Sequence, residues 1–412
     1  MLKKSIVYLT IVYLMQVLTI VLNIILIRNL SLEHLGQITL AKVYFQFMEY
    51  THLGSRFAMD RYVPTYNEKD GKSITVFTMN VSLFVSALFI AIVYLFVDND
   101  LIILVFMVSG FAYTMASTYK AYFRAKEDTR KMLSVILTSI FFPLIVQVIV
   151  IYFYDFNVFV VSFFISYMLG LFLLVYKFRL IHLMSFSELL AKIKIFYKDS
   201  SLLFLTALII FTSFSIDKIL LESFRGKAVL GEYSIILFVF ATLLVIPSTL
   251  NELIFPRIIR KITATSKIIH FKENVFILLP TLLAVGLANL VMNFFIMKFT
   301  AYAHLLTYLH LATWAVIPYA FTPIFYNTLN ALDKRKIILQ INVLALLVYV
   351  GYLYFLLLFG NSSWKFSLWD MGFTFQLSGD ILNEFVWGRI IYGVLLVILY
   401  VIYLINRHYT CR

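Results

Sequence analysis

Residues 37–61 read QITLAKVYFQFMEYTHLGSRFAMDR, long and apolar enough to cross a bilayer, yet carrying Lys42, Gln46, Glu49, Arg56 and Asp60. On a continuous helix turning about 100° per residue, these five fall within one wedge of about 80°. A charge at the bilayer centre costs about 2.5–3.5 kcal/mol on insertion scales, so the stripe needs a charged or hydrated counterpart. The chemistry it offers is binding rather than bond-making. Cations and an amide can hold a hydrated anion, while Glu49 balances their charge or takes a coupling cation. The competing reading is a buried ion-pair ladder that locks helices together. Seven-residue spacing on one helix is too long for direct pairs, so that ladder needs partners from another helix or from water.

Weaker candidates lie elsewhere. Gln16 and Asn23 give the first helix a polar face, also seven residues apart. Asp217 and Lys218 follow an uncharged run from Ser200 to Ile216, and interface anchoring and ligand contact are both open to them. Arg389, near the start of the last apolar run, reads as a snorkelling side chain. His52 points about 80° off the stripe's axis.

No pattern for catalysis accompanies these charges. There is no glycine-rich phosphate loop, no zinc-ligand spacing and no clustered His, Cys and carboxylates, so neither a cofactor nor a metal is expected. The longest outer segment, 360–384, holds aromatics and Asp370, Asp380 and Glu384 but no His. It reads as an aromatic interfacial belt. Cys411, the one cysteine, has no partner for an intrachain disulfide.

The elements that must position the stripe are membrane helices. Apolar residues make up 62% of 412, charged residues 13%, and mean hydropathy is +0.93, a balance that excludes a soluble domain. Twelve spans are expected, roughly 5–27, 37–60, 74–97, 101–121, 132–153, 158–176, 200–221, 230–253, 274–297, 305–326, 337–359 and 385–405. Counting Lys and Arg between them gives 25 on the side of the N-terminus and 5 on the other. The positive-inside rule then puts both termini in the cytoplasm. The net charge of +13 is therefore a topology signal rather than a nucleic-acid footprint.

The chain also resembles itself. NIILIRNLSLEHLGQ (23–37) aligns with DKILLESFRGKAVLGE (217–232), and Asp128–Lys131 aligns with Asp333–Lys336, each between the fourth and fifth helix of its half. These matches predict an all-α integral membrane fold of two six-helix lobes in parallel repeat. The lobes would be residues 1–176 and 200–412, joined by a basic amphipathic linker, 177–199, on the inner leaflet.

Two stretches carry a resemblance to a known family. Leu35-Gly36, Leu53-Gly54, Arg61 and Pro64 resemble the opening of the polysaccharide-export branch of the multidrug/oligosaccharidyl-lipid/polysaccharide (MOP) exporter superfamily. Asp217-Lys218, Gly231-Glu232-Tyr233 and Pro256 are similar to its second-half signature. The helix count resembles that of the O-antigen (Wzx-type) flippases. The resemblance implies a non-enzymatic flippase in a bacterial inner membrane, working by alternating access on a polyprenyl-pyrophosphate-linked oligosaccharide. Its partners would be that substrate, membrane lipids, a coupling cation and polysaccharide-assembly proteins. Arg56 and Lys42 would then meet the pyrophosphate, with Lys218 a weaker contact. A drug or cation antiporter of the same superfamily and a membrane O-antigen polymerase or ligase are the alternatives.

Overall fold

The structure is a computed structural model. It describes residues 2–64, 68–96, 100–180, 182–265, 271–298, 300–359, 365–367, 374–376 and 380–410. For some of these, including Asp60, Arg61 and most of 189–199, 252–274 and 406–410, the backbone alone is described.

The chain divides into two compact units, Met1–Leu208 and Ile209–Arg412. The first contains α1 (Leu2–Asn29), α2 (Leu32–Phe47), α3 (Ser55–Tyr62), α4 (Glu68–Phe96), α5 (Leu101–Ala125), α6 (Thr129–Ile136), α7 (Phe142–Phe153) and α8 (Phe156–Phe178). The helix α9 (Phe186–Arg225) passes through the unit boundary. The second unit adds α10 (Lys227–Thr265), α11 (Phe271–Lys298), α12 (Leu306–Trp314), α13 (Val316–Ala331), α14 (Arg335–Phe359) and α15 (Ile381–Thr410). Two three-residue strands, β1 (Lys365–Ser367) and β2 (Thr374–Gln376), pair antiparallel within the segment 360–384. The remainder of 360–379 lies outside the described residues.

Ten helical stretches are long and apolar enough to span a membrane among the described residues, so this is a multi-pass membrane protein. They match the expected spans from the third to the twelfth. The first span is represented by the shorter apolar stretch Tyr13–Asn29. The second departs from expectation: residues 37–60 are not one helix but α2, a 3₁₀ turn at Met48–His52, and α3. Within the expected linker, the chain from Phe186 onward is helical and continuous with the seventh span, because 186–225 contains no Gly or Pro to stop it. The helix ends at Gly226, which takes a positive φ of 84°.

Short polar side chains start the helices where the chain turns. Ser31, Asp100, Asp128 and Asp155 each accept a bond from a backbone N–H in the first turn of α2, α5, α6 and α8 respectively. The Asp128 and Asp333 loops share one backbone turn. Glu127 and Asp333 both sit at φ 55°, and each donates its N–H to the carbonyl three residues back. In each loop the next residue, Asp128 or Lys334, donates to the carbonyl five back. This is a helix-ending αL turn, and it makes Glu127, rather than Asp128, the equivalent of Asp333.

Side-chain distribution follows the solvent. Leu88, Phe172, Leu287, Phe294 and Leu347 are strongly exposed, as suits lipid rather than water. Thr78, Ser82, Ser109, Thr114 and Thr118 are buried between helices, where small side chains let backbones approach. Gly110 on α5 is the closest case: a Cβ there would lie 2.5 Å from the Phe45 carbonyl oxygen of α2. In the first unit, Met59, Phe77, Tyr119 and Leu174 anchor the core. In the second, Tyr233, Tyr349, Phe385 and Tyr392 do so.

Candidate functional site

The break in the second span decides the geometry of the charged stripe. Leu53 (φ 47°) and Gly54 (φ 96°) both take left-handed backbone, which ends the 3₁₀ turn and redirects the chain into α3. The Gly54 N–H donates to Nδ1 of His52 at 2.8 Å, and Ser55 Oγ donates to the His52 carbonyl at 2.7 Å. Tyr197 reaches that same carbonyl at 3.4 Å, and Ser86 donates to Thr51 Oγ1 at 2.9 Å. His52, off the stripe's axis in the sequence, is thus a buried brace of the break, packed edgewise against Phe57 and Phe204.

Because the helix breaks, residues seven apart meet. Arg56 Nη1 donates to Glu49 Oε1 at 2.6 Å and to Ser117 Oγ of α5 at 3.1 Å. This corrects the expectation that Glu49 and Arg56 are too far apart to pair directly; that expectation rested on an unbroken helix. The side chains remain 35% and 24% exposed, so the pair is reachable rather than sealed. Lys42 is half-buried and Gln46 exposed on α2, while Gln16 and Asn23 are half-buried on α1. Among the described residues, the side chains of these four form no hydrogen bond or ion pair. The side chain of Asp60 lies outside the described set. The break at Leu53 and Gly54 ends the continuous helix on which the wedge of about 80° is drawn.

The second unit holds a different ionic centre. Arg389 on α15 meets Asp217 on α9, with Nη2 2.6 Å and Nε 2.9 Å from Oδ2. The Tyr233 hydroxyl donates to the same Oδ2 at 2.6 Å. The rest of the guanidinium is spent on the carbonyls of Ser213 (3.3 Å) and Phe214 (3.0 Å), and it stacks over the Phe214 ring at 5.0 Å. The two side chains are 3% and 0% exposed. Arg389 therefore does not snorkel, and Asp217 is neither an interface anchor nor a cavity-lining group; each is paired inside the bundle. Lys218 turns back on its own helix, its Nζ donating to the Phe214 carbonyl at 2.8 Å. Two intramembrane charges of opposite sign within one half were the available signal. Their separation of 172 residues hid the partnership.

Beside this pair lies a cavity of about 290 Å³, with Phe214, Tyr319, Tyr392, Tyr400 and Asn342 among its walls. Farther along, His310 Nδ1 lies 2.5 Å from Asn289 Oδ1, and Asn289 Nδ2 donates to Thr313 at 2.6 Å. Among the described residues no three His, Cys, Asp or Glu side chains gather as a metal site.

Comparison with known proteins shows the family and the fold. Residues 1–261 match the family described as polysaccharide biosynthesis protein. The chain belongs to that family. It is a family of MOP-type flippases, and the fold agrees. An inward-facing multidrug resistance MATE family transporter of the MOP superfamily superposes with a TM-score of 0.69 at 13% identity, covering 95% of this chain and 94% of that one. The eukaryotic MATE transporter AtDTX14 superposes at 0.63 and 13% identity, covering 95% and 91%. The MATE multidrug transporter DinF-BH gives 0.61 and 13%, covering 96% and 92%. No curated protein matches the sequence. Family and fold are those of transporters, and this member of the polysaccharide biosynthesis family shares their helical architecture.

Proposed function

We propose that this protein is a flippase that carries a polyprenyl-pyrophosphate-linked oligosaccharide across a bacterial cytoplasmic membrane by alternating access. The observation that carries the reading is the Glu49–Arg56 pair. It is a reachable ion pair at a helix break within a membrane-spanning unit of a polysaccharide-biosynthesis family member. A pyrophosphate-sugar headgroup is anionic and hydrated and cannot enter hydrocarbon, whereas its prenyl tail can stay in lipid.

Arg56 supplies a planar fork suited to phosphate oxygens. In the resting pair Glu49 occupies one of its donors and neutralises its charge, which lowers the cost of holding a cation at that depth. An arriving pyrophosphate would compete with Glu49 for Arg56, and the released carboxylate could then take a coupling cation. Lys42, with no partner among the described residues, is the second cation of the site. The polar side chains Gln46, Gln16 and Asn23 are suited to neutral hydroxyls. Asp217 and Arg389 hold the second unit together and do not touch the substrate; Lys218, tied to Phe214, contributes at most a secondary contact.

Deleting the gene in its host tests this reading. Lipid-linked repeat units should collect on the cytoplasmic leaflet, with restoration by the wild-type chain. Normal export in the deletion strain, or complementation that only restores efflux of cationic dyes, would replace it with the antiporter reading.

A further inference from the structure

The first unit contains a second polar feature besides the Glu49–Arg56 pair. A cavity of about 350 Å³ opens between the start of α4 and the end of α8, lined by Lys69, Lys72 and Arg179 with Val76, Phe178 and Met184. The spans themselves begin at Glu68 and end at Phe178, so the cavity sits where membrane gives way to water.

Its far wall is built rather than incidental. Asn80, buried to 3% exposure, donates through Nδ2 to the His182 carbonyl at 2.7 Å and accepts from the Met184 N–H at 3.0 Å. This two-point clamp fixes 182–184, the segment leaving α8, against α4. Arg179 itself takes left-handed backbone at φ 49°, which ends α8 and turns the chain toward that clamp.

Neutralisation of these cations in place is weak. Lys72 pairs with Glu68 at 2.6 Å, but both side chains are well exposed, 46% and 74%. Exposed pairs of this kind are worth about 0–1 kcal/mol and exchange readily. Arg179 lies over the Tyr176 ring, a contact that leaves its guanidinium edges open to an anion. The cavity thus combines cations with an apolar wall at a membrane boundary. A soluble anion would use only the first; a lipid carrying phosphate uses both, with its headgroup on the cations and the first part of its tail along Val76, Phe178 and Met184.

We propose that this cleft is a docking site for the phosphate-bearing headgroup of a membrane lipid. By the distribution of Lys and Arg along the chain, it lies in the cytoplasmic leaflet. The occupant is a bulk anionic phospholipid of that leaflet, its phosphate ester on the cations and its acyl chain along the apolar wall. The proposal stands whichever substrate the protein transports.

Native mass spectrometry of the purified full-length protein tests it, with dioleoylphosphatidylglycerol, a polyprenyl pyrophosphate and neutral dioleoylglycerol as probes. The double variant Lys69→Gln/Arg179→Gln, changed only at exposed positions, should lose about tenfold or more in affinity for the phosphate lipids, as expected for losing two charge-assisted contacts. A loss confined to the polyprenyl pyrophosphate, with phosphatidylglycerol binding unchanged, would overturn the assignment to a bulk phospholipid. Arg56→Ala, which tests transport, should leave phosphatidylglycerol binding within about twofold. Wild-type affinity of the double variant for both phosphate lipids, or equally tight binding of dioleoylglycerol, would overturn the proposal.

Discussion

Replacing Asp217 by Ala should destabilise the second unit more than any surface change in it. The Arg389 side chain is 3% exposed, so without the carboxylate its charge stays in the bundle with only the carbonyls of Ser213 and Phe214 and the neighbouring rings. Removing one member of a buried pair costs about 3–5 kcal/mol. Tyr233 loses its acceptor as well, and an unsatisfied buried hydroxyl adds about 1–3 kcal/mol if it finds no replacement. A loss of at least about 3 kcal/mol is therefore expected. Replacing both charges, as Asp217→Leu/Arg389→Met, should recover most of that loss, because apolar isosteres carry no desolvation penalty. Reversible denaturant unfolding in mixed micelles reads both values. If Asp217→Ala costs less than about 1 kcal/mol, or if the double variant is no better than the single, the pair is not the buried lock described here.

Other consequences follow from the same geometry. Gly54→Ala forces left-handed backbone at φ 96° and puts a Cβ 2.9 Å from Phe204 Cβ, so it should cost at least about 1–2 kcal/mol and lower the melting temperature. Gly110→Ala drives a methyl group into the Phe45 carbonyl and should cost about 1–3 kcal/mol in the same measurement. Arg56→Lys, which keeps the charge but loses the guanidinium fork, should retain part of the transport rate, measured at equal protein level. Asp128 lies between two spans, and the hydrogen bond from the Lys131 backbone, with help from the Lys131 ammonium, holds its carboxyl below the usual carboxylate range. Its contribution is therefore present above the unfolded value of about 3.9 and fades as pH falls through the lower folded value. Asp128→Ala should cost about 0.5–2 kcal/mol at neutral pH and make the acid end of the stability profile shallower, as read by melting between about pH 3 and 7.

The fold class is legible in the sequence because hydropathy reports the solvent directly: ten of the twelve apolar runs reappear as helices of spanning length. The second span defeats the same reasoning because the 100° rule assumes an unbroken helix, whereas Leu53 and Gly54 take left-handed backbone. The Leu-Gly pair is visible, but only as a family marker and not as a hinge. That one difference hides the Glu49–Arg56 contact and misplaces His52, whose polarity serves the break itself. The Arg389–Asp217 lock is illegible for another reason. Proximity to a span end predicts snorkelling, and only tertiary packing shows that the side chain turns inward to an aspartate 172 residues away. Repeat matching finds the Asp128 and Asp333 loops but slips by one residue, because the shared feature is a left-handed turn rather than an aspartate.

The most direct test of the central claim is translocation of a fluorescent polyprenyl-pyrophosphate-linked oligosaccharide in proteoliposomes, comparing wild type with Arg56→Ala at equal incorporation. Wild-type protein should move the lipid to the opposite leaflet well above the rate of empty vesicles, and Arg56→Ala should fall at least about tenfold. Wild-type vesicles no faster than empty ones, or an alanine variant as fast as wild type, would contradict it.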